Sequence, residues 1–318
     1  MPKFKILLVT AISLVTNYNF AQHTDEINSN RPGESMSAYA VGKSVIQVET
    51  GIYGINENHR LLGYDANGYG LDLDLRYGFL MEKLEVIANI QYQKQDFVSA
   101  FDQYSKSNLK QTVLGAKYLL YDPFKNYEKK INVYSWKANH SFDWHQLIPA
   151  VSVYAGANFT MKDNPYAFSP EAMISPKVML ITQNHLGDGS WVFVTNIIAD
   201  YLTTDYPSYG YIITLTKGIS KKWSGFIENQ GYKSNFYSDA IFRGGAAFLL
   251  GKNMQIDASI SHNLIKDTPT VFYGGVGFSW RYDAGYKEVK VDLDDSPSKP
   301  RSVRKAARKD QKRRDAIQ

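Results

Sequence analysis

Residues 254–282 constrain the fold more tightly than any other stretch, because polarity there alternates residue by residue through two arms. In the first arm Gln255, Asp257, Ser259 and Ser261 alternate with Ile256, Ala258 and Ile260. In the second, Tyr273, Gly275, Gly277, Ser279 and Arg281 alternate with Gly274, Val276, Phe278, Trp280 and Tyr282. A period of two places each set on its own face of a strand. One face is therefore ionisable and the other aromatic and aliphatic. Two architectures satisfy that pattern. In a sandwich the apolar faces meet in a core, and in a membrane barrel they face lipid while the polar face lines a lumen.

The same alternation recurs along the chain. It is clearest over 68–80, where Gly68, Gly70, Asp72, Asp74, Arg76 and Gly78 interleave with Tyr69, Leu71, Leu73, Leu75, Tyr77 and Phe79. Read throughout, it predicts strands at 44–54, 68–80, 83–95, 109–121, 146–159, 173–185, 191–202, 209–217, 223–232, 239–250, 254–263 and 271–282. Twelve is an even number, as single-chain bacterial barrels have. The connections near 80–83, 186–190, 218–222 and 251–253 read as short periplasmic turns. Those around 56–67, 97–108 and 160–172 read as longer outer loops. The stretch 122–145 is long where a short turn is expected, and 132–138 within it reads as a possible extra strand.

The ionisable residues on the inner-face pattern decide between the architectures. They are Glu49, Asp72, Asp74, Arg76, Glu85, Lys177, Asp200, Glu228, Arg243, Asp257 and Arg281. Burying so many charges in a dry core costs several kcal/mol apiece unless each is paired, whereas a wet lumen avoids much of that cost. Aromatic residues near strand ends, among them Tyr77, Trp191, Trp223 and Trp280, fit interfacial girdles. The expected fold class is all-β, a transmembrane antiparallel up-and-down barrel of about twelve strands. Asp72 and Asp74 also resemble an acid pair for glycoside chemistry, but Arg76 on the same face points to a charge-compensated network.

The ends of the chain add to this. Lys3 and Lys5 precede an apolar run at 6–15, the order of a secretory signal, so 1–21 is expected to be a signal peptide. Residues 22–43 form a polar N-terminal periplasmic or plug segment, 44–283 the barrel and 284–318 a basic flexible tail. No cysteine occurs among the 318 residues, which excludes disulfides, thiol catalysis and a lipid-modified N-terminus. The tail carries Arg301, Arg304, Lys305, Arg308, Lys309, Lys312, Arg313 and Arg314. Its excess of positive charge accounts for the net charge of +5, and it is a candidate dock for an anionic periplasmic partner. Nucleic acid is not expected as a partner of an exported chain.

Two motifs give a resemblance. Asn30-Arg31-Pro32-Gly33-Glu34-Ser35 is followed by Val41-Gly42-Lys43 and Gln47-Val48-Glu49-Thr50-Gly51, and near the other end stand Asn253, Gln255, Asp257, Gly275, Gly277 and Ser279. These resemble the N- and C-terminal signatures of the transporter family named after the MetA pathway of phenol degradation. That resemblance implies an outer-membrane barrel that moves small solutes, without fixing which solute.

Other chemistry is thinly represented. Ser261-His262-Asn263 is the one local set suggesting a lipid-modifying barrel enzyme, but neighbours on a strand point to opposite faces. His140, Asp143 and His145 suggest a metal, without a third ligand set by spacing. The expectation is thus a non-enzymatic channel for small solutes in the Gram-negative outer membrane. Both termini would be periplasmic, lumen charges would set selectivity, and outer-membrane lipid would surround the barrel, with no cofactor. The alternatives are a non-conducting scaffold docked through its tail and, third, the lipid-modifying enzyme. Arg76, Arg243 and Arg281 are long enough to close a twelve-strand lumen.

Overall fold

The structure is a computed structural model of the chain. It describes residues 26–125, 127, 134, 143–167, 172–187, 189–235, 238–264 and 269–286. The chain divides into a compact unit, Met1–Tyr286, and a second, Lys287–Gln318, which lies outside the described residues. The expected signal peptide at 1–21, the tail cations and the possible strand at 132–138 fall largely or wholly outside them too.

Twelve strands form in chain order: β1 (Ile46–His59), β2 (Tyr64–Gly78), β3 (Leu84–Ser99), β4 (Gln103–Tyr121), β5 (Ala150–Phe159), β6 (Ile174–Leu186), β7 (Trp191–Asp200), β8 (Ser208–Gly218), β9 (Trp223–Ser234), β10 (Ser238–Leu249), β11 (Met254–Asn263) and β12 (Thr270–Tyr282). Each pairs antiparallel with its neighbours, and β1 closes on β12 from Ile46↔Tyr282 to Asn58↔Thr270. The sheet has no free edge, so every wall strand has a hydrogen-bonded neighbour on both sides. Outward residues such as Ile52, Leu71, Leu114, Ile197, Ile256 and Val276 are exposed, while their sequence neighbours Gly51, Gln255 and Asp257 are buried. An apolar outside and a polar inside are what a barrel in lipid requires.

Two expectations are corrected. The stretches 56–67 and 97–108 are not loops: β1 runs on into β2 through a turn at 60–63, and β3 into β4 through 100–102. These strands are 14 to 19 residues long, well beyond the roughly 9–11 that cross a bilayer. Outside the hydrocarbon both faces meet water, so polar residues occupy both without disturbing the ladder. Side-chain bonds then hold the extension together: Asn56 donates to Asn67 (2.7 Å), Asn58 to Asp65 (2.5 Å) and Tyr64 to Glu57 (2.7 Å). The second correction concerns the inner face, which is not uniformly polar. Ile87, Val113, Tyr154, Met179 and Ile181 form a buried apolar cluster on the arc from β3 to β6.

The long connection between β4 and β5 carries a 3-10 turn at Trp144–Leu147, capped by the Asp143 carboxylate, which accepts from the His145 amide. The His145 ring stacks on Tyr127 with centroids 3.7 Å apart, and its Nε2 pairs with the Pro123 carbonyl (2.7 Å). Among the described residues no group of His, Asp and Glu is placed to hold a metal; His140 lies outside them.

Candidate functional site

The expected inner-face charges lie inside the barrel, but few of them face open water. Residues 27–43 fold up into the lumen as a loop, and the wall side chains satisfy its backbone. At one end the Ile27 amide donates to the Lys252 carbonyl (2.8 Å) in the β10–β11 turn. At the other, the Lys43 amide donates to Glu82 (3.1 Å) in the β2–β3 turn. Both ends of the loop thus leave at the same end of the barrel, and its apex lies around Pro32 and Gly33. A polar segment with no strand periodicity brings many unpaired amides, and each one buried must find a partner.

Those partners come from strands all around the barrel. Arg76 and Gln47 donate to the Asn28 carbonyl (2.9 and 3.1 Å). Glu49 accepts from the Ser29 hydroxyl (2.9 Å) and from the amides of Asn30 and Arg31 (3.1 and 3.2 Å). Glu228 accepts from the amides of Glu34 and Ser35 (3.1 and 3.3 Å). Asn196 forms a reciprocal pair with Met36, accepting from its amide (2.6 Å) and donating to its carbonyl (3.0 Å). Gln183 accepts from the Ala38 amide (3.0 Å), and Lys117 donates to the carbonyls of Ser37 and Tyr39 (2.9 and 3.0 Å). Met36, Ala38 and Tyr39 also pack on the apolar arc of the wall. That contact explains why an inner face holds aliphatic side chains.

Strand register organises the dock in rows. Asp72, Gly51, Gly277 and Asp257 face one another across β2, β1, β12 and β11. The Arg31 guanidinium lies along this row, with Asp257 at 3.3 Å and Asp72 at 3.8 Å. A Cβ on Gly51 or Gly277 would come within 2.4 or 2.2 Å of it. Burial opposes its charge, but Asp257 and Asp72 outweigh that and hold its pKa above the ordinary value. The next row is Asp74, Glu49, Ser279 and Gln255; Gln255 donates to the Arg31 carbonyl (3.0 Å), and Ser279 bonds to Ser29 (2.8 Å). The two sequence signatures are therefore two halves of one dock. Gln47, Glu49 and Gly51 come from β1, Gln255, Asp257, Gly277 and Ser279 from β11 and β12, and Ser29–Arg31 is the segment they hold.

The candidate residues fall into separate ion-pair groups. Arg76 is fully buried between Glu49 (2.9 Å) and Glu85, and Glu85 also meets Lys117 (3.0 Å). Arg243 pairs with Glu228 and lies 3.8 Å from Glu34. Lys177 pairs with Asp200 (2.9 Å). Arg281 donates to Asn253 and to the Glu26 carbonyl (2.8 and 2.9 Å) and approaches Asp283 (3.4 Å). The expected compensation of Asp72 and Asp74 by Arg76 is not what forms. Arg31 takes Asp72, and Asp74 accepts only from Asn89 (2.6 Å) among the described contacts. Arg76 is drawn instead toward the Glu49–Glu85 side, where two carboxylates outbid one. Residues 27–43 occupy the lumen beside the long arginines: Arg76 donates to the Asn28 carbonyl, Arg281 to the Glu26 carbonyl, and Arg243 lies 3.8 Å from Glu34. Lys110 escapes a reading by motif because β4 slips there, opposite Gln91/Tyr92 of β3, whereas Lys117 alternates in register with the buried Val113 and Leu119 and belongs to no motif. Ser261 is buried on the inner face, whereas His262 is exposed on the outer and bonded to the Val271 carbonyl (3.0 Å).

A closed twelve-stranded wall with an apolar belt and a charged interior defines an outer-membrane β-barrel. Residues 29–282 match the family model described as "Putative MetA-pathway of phenol degradation". The chain belongs to that family. Among solved structures, an outer membrane channel from Pseudomonas putida F1 shares the fold with a TM-score of 0.52 at 11% identity, over 81% of this chain and 100% of that one. The translocator domain of autotransporter NalP from Neisseria meningitidis aligns with a TM-score of 0.45 at 9% identity, over 88% and 96% of the two chains. The CymD monoaromatic hydrocarbon channel aligns at 0.40 and 8% identity, over 76% and 89%. A search among curated proteins returns no match.

Proposed function

We propose that the protein is a passive channel for small solutes, not an enzyme, and that residues 27–43 are its plug. The carrying observation is the mode of attachment: apart from the main-chain bond of Ile27 to Lys252, the segment's bonds to the wall given above run through side chains, and it enters and leaves at one end of the barrel. A loop anchored that way can withdraw without unthreading the fold. Ion-pair rings on the inner wall then set which solutes pass.

The end where the loop enters is assigned to the periplasm. Ile46 pairs with Tyr282, so the first strand begins and the last ends there, beside the turns at 187–190 and 219–222. Short turns on that side are usual in such barrels. The basic residues from Arg301 to Arg314 would then extend into the periplasm as a dock for an anionic partner, on the support of their charge alone.

Planar-bilayer recording tests the channel. Wild-type protein is expected to show small, intermittent conductance, and Arg31→Ala to raise the open time several-fold. A folded barrel that conducts in neither form would count against transport and favour a scaffold.

A further inference from the structure

A cavity of about 400 Å³ borders the apex of the plug. Its charged lining is Arg31, Lys110, Lys177 and Arg243 against Glu34, Asp72 and Asp74. Three of these cations already have a carboxylate in contact: Arg31 has Asp257, Arg243 has Glu228 and Lys177 has Asp200. With those counted, six acidic groups stand against four basic ones. The adjoining layer is balanced, because Arg76 and Lys117 meet Glu49 and Glu85. The excess negative charge therefore belongs to the cavity. Asp74 sits in it with one amide donor, Asn89 at 2.6 Å, and no ion pair among the described contacts. Lys110, the remaining cation, lies over the Tyr273 ring, 5.9 Å from its centroid.

The arc of the cavity wall from β3 to β8 carries the aliphatic side chains Ile87, Val113, Met179, Ile198 and Ile212, with Gln91, Gln111 and Lys177 among them. Carboxylates beside an aliphatic wall suit a solute with one positive group and a hydrocarbon body. A bare inorganic cation would leave the wall unused, and an anion would meet the excess carboxylates. At roughly 30 Å³ per water-sized group, the space holds about thirteen non-hydrogen atoms.

We propose that this cavity is a binding site for small organic ammonium ions, with Asp74 and Asp72 facing the charged nitrogen and the aliphatic wall holding the body. The assignment rests on the reading of the barrel as a solute channel, since a transported solute must pass this point. A low-dielectric wall strengthens the attraction of the carboxylates for the cation.

Three probes of similar size separate charge from shape: benzylammonium, benzoate and benzyl alcohol. Each is titrated calorimetrically into the full-length protein in detergent, and the two ions are compared as permeants by reversal potential after reconstitution. Benzylammonium is expected to bind and to carry current. Benzoate and benzyl alcohol should bind at least about tenfold more weakly. Asp74→Asn should weaken benzylammonium by about tenfold, Asp74→Glu should keep most of its binding, and heat-modifiable migration should confirm that both barrels are folded. Equal binding of benzoate, or Asp74→Asn binding like wild type, overturns the site. A protein that conducts without discriminating the two ions overturns the site and leaves the channel. Absence of current, even in Arg31→Ala, with ammonium binding intact overturns the channel and leaves the site.

Discussion

The Arg31 guanidinium occupies the space that a side chain at Gly277 would fill: a Cβ there would stand 2.2 Å from Nε. Gly51, paired directly with Gly277, leaves matching room on β1. Glycine is needed here for space, on an otherwise ordinary strand, and the space belongs to a residue 246 positions away in sequence.

Filling that space should therefore free the plug without harming the wall. Gly277→Val adds a β-branched residue that strands favour but excludes Arg31 from its row. The barrel is expected to fold and to migrate as the wild type does on a heat-modifiability gel, while conductance rises several-fold. Wild-type conductance in a folded Gly277→Val barrel would show that Arg31 does not hold the segment.

Glu85 holds two buried cations, Arg76 and Lys117, and also accepts from the Val41 amide (3.2 Å). Glu85→Ala leaves the buried Lys117 ammonium with no carboxylate, while Arg76 keeps Glu49, and breaking a buried pair from one side typically costs about 3–5 kcal/mol. Urea unfolding of protein reconstituted in lipid vesicles should show that loss. Replacing Glu85 with Leu and Lys117 with Met together should recover most of it, because the pair is then exchanged for apolar packing.

Glu228 gathers four partners: the amides of Glu34 and Ser35, the Thr214 hydroxyl (2.7 Å) and Arg243. Its loss should loosen the apex first. Glu228→Ala is expected to speed hydrogen exchange at Glu34 and Ser35 by about tenfold or more, since local opening governs exchange, while amides in β11 and β12 stay protected. Uniform acceleration across those strands would instead mean that the whole barrel had weakened.

The outer belt gives a test that depends on depth alone. Val276 is exposed at mid-wall, where it pairs with Ile52 and Ala258. Val276→Arg should cost about 2–4 kcal/mol in vesicles, as a cation does at the bilayer midplane. Gln111→Arg, which lines the cavity, should cost far less. Comparable losses at both positions would contradict the assignment of outside and inside.

How much of this could be read from the residues differs between wall and dock. The inward set on β2, with Asp72, Asp74 and Arg76, was legible because side chains alternate with a period of two. The ends of β1 to β4 were not, since above the membrane both faces are polar and Asn56 or Asn67 looks like a loop residue. The apolar inner arc was missed for a related reason. Ile87 and Val113 are inside because Met36, Ala38 and Tyr39 cover them, and no local pattern says so. For Arg31, Glu49 and Asp257 the motif spacing marked the residues but not their meeting.

The amino-acid order by itself determined the wall: twelve alternating strands, their outward apolar face and the charged character of the inside. Alternation is a local property, set by backbone geometry and readable two residues at a time. Only the tertiary structure decided what fills the inside. Residues 27–43 have no period of their own, and their position is fixed by hydrogen bonds and ion pairs with strands as far off as β11 and β12. Arg31 and Asp257 become neighbours only once the first and last strands have closed the ring.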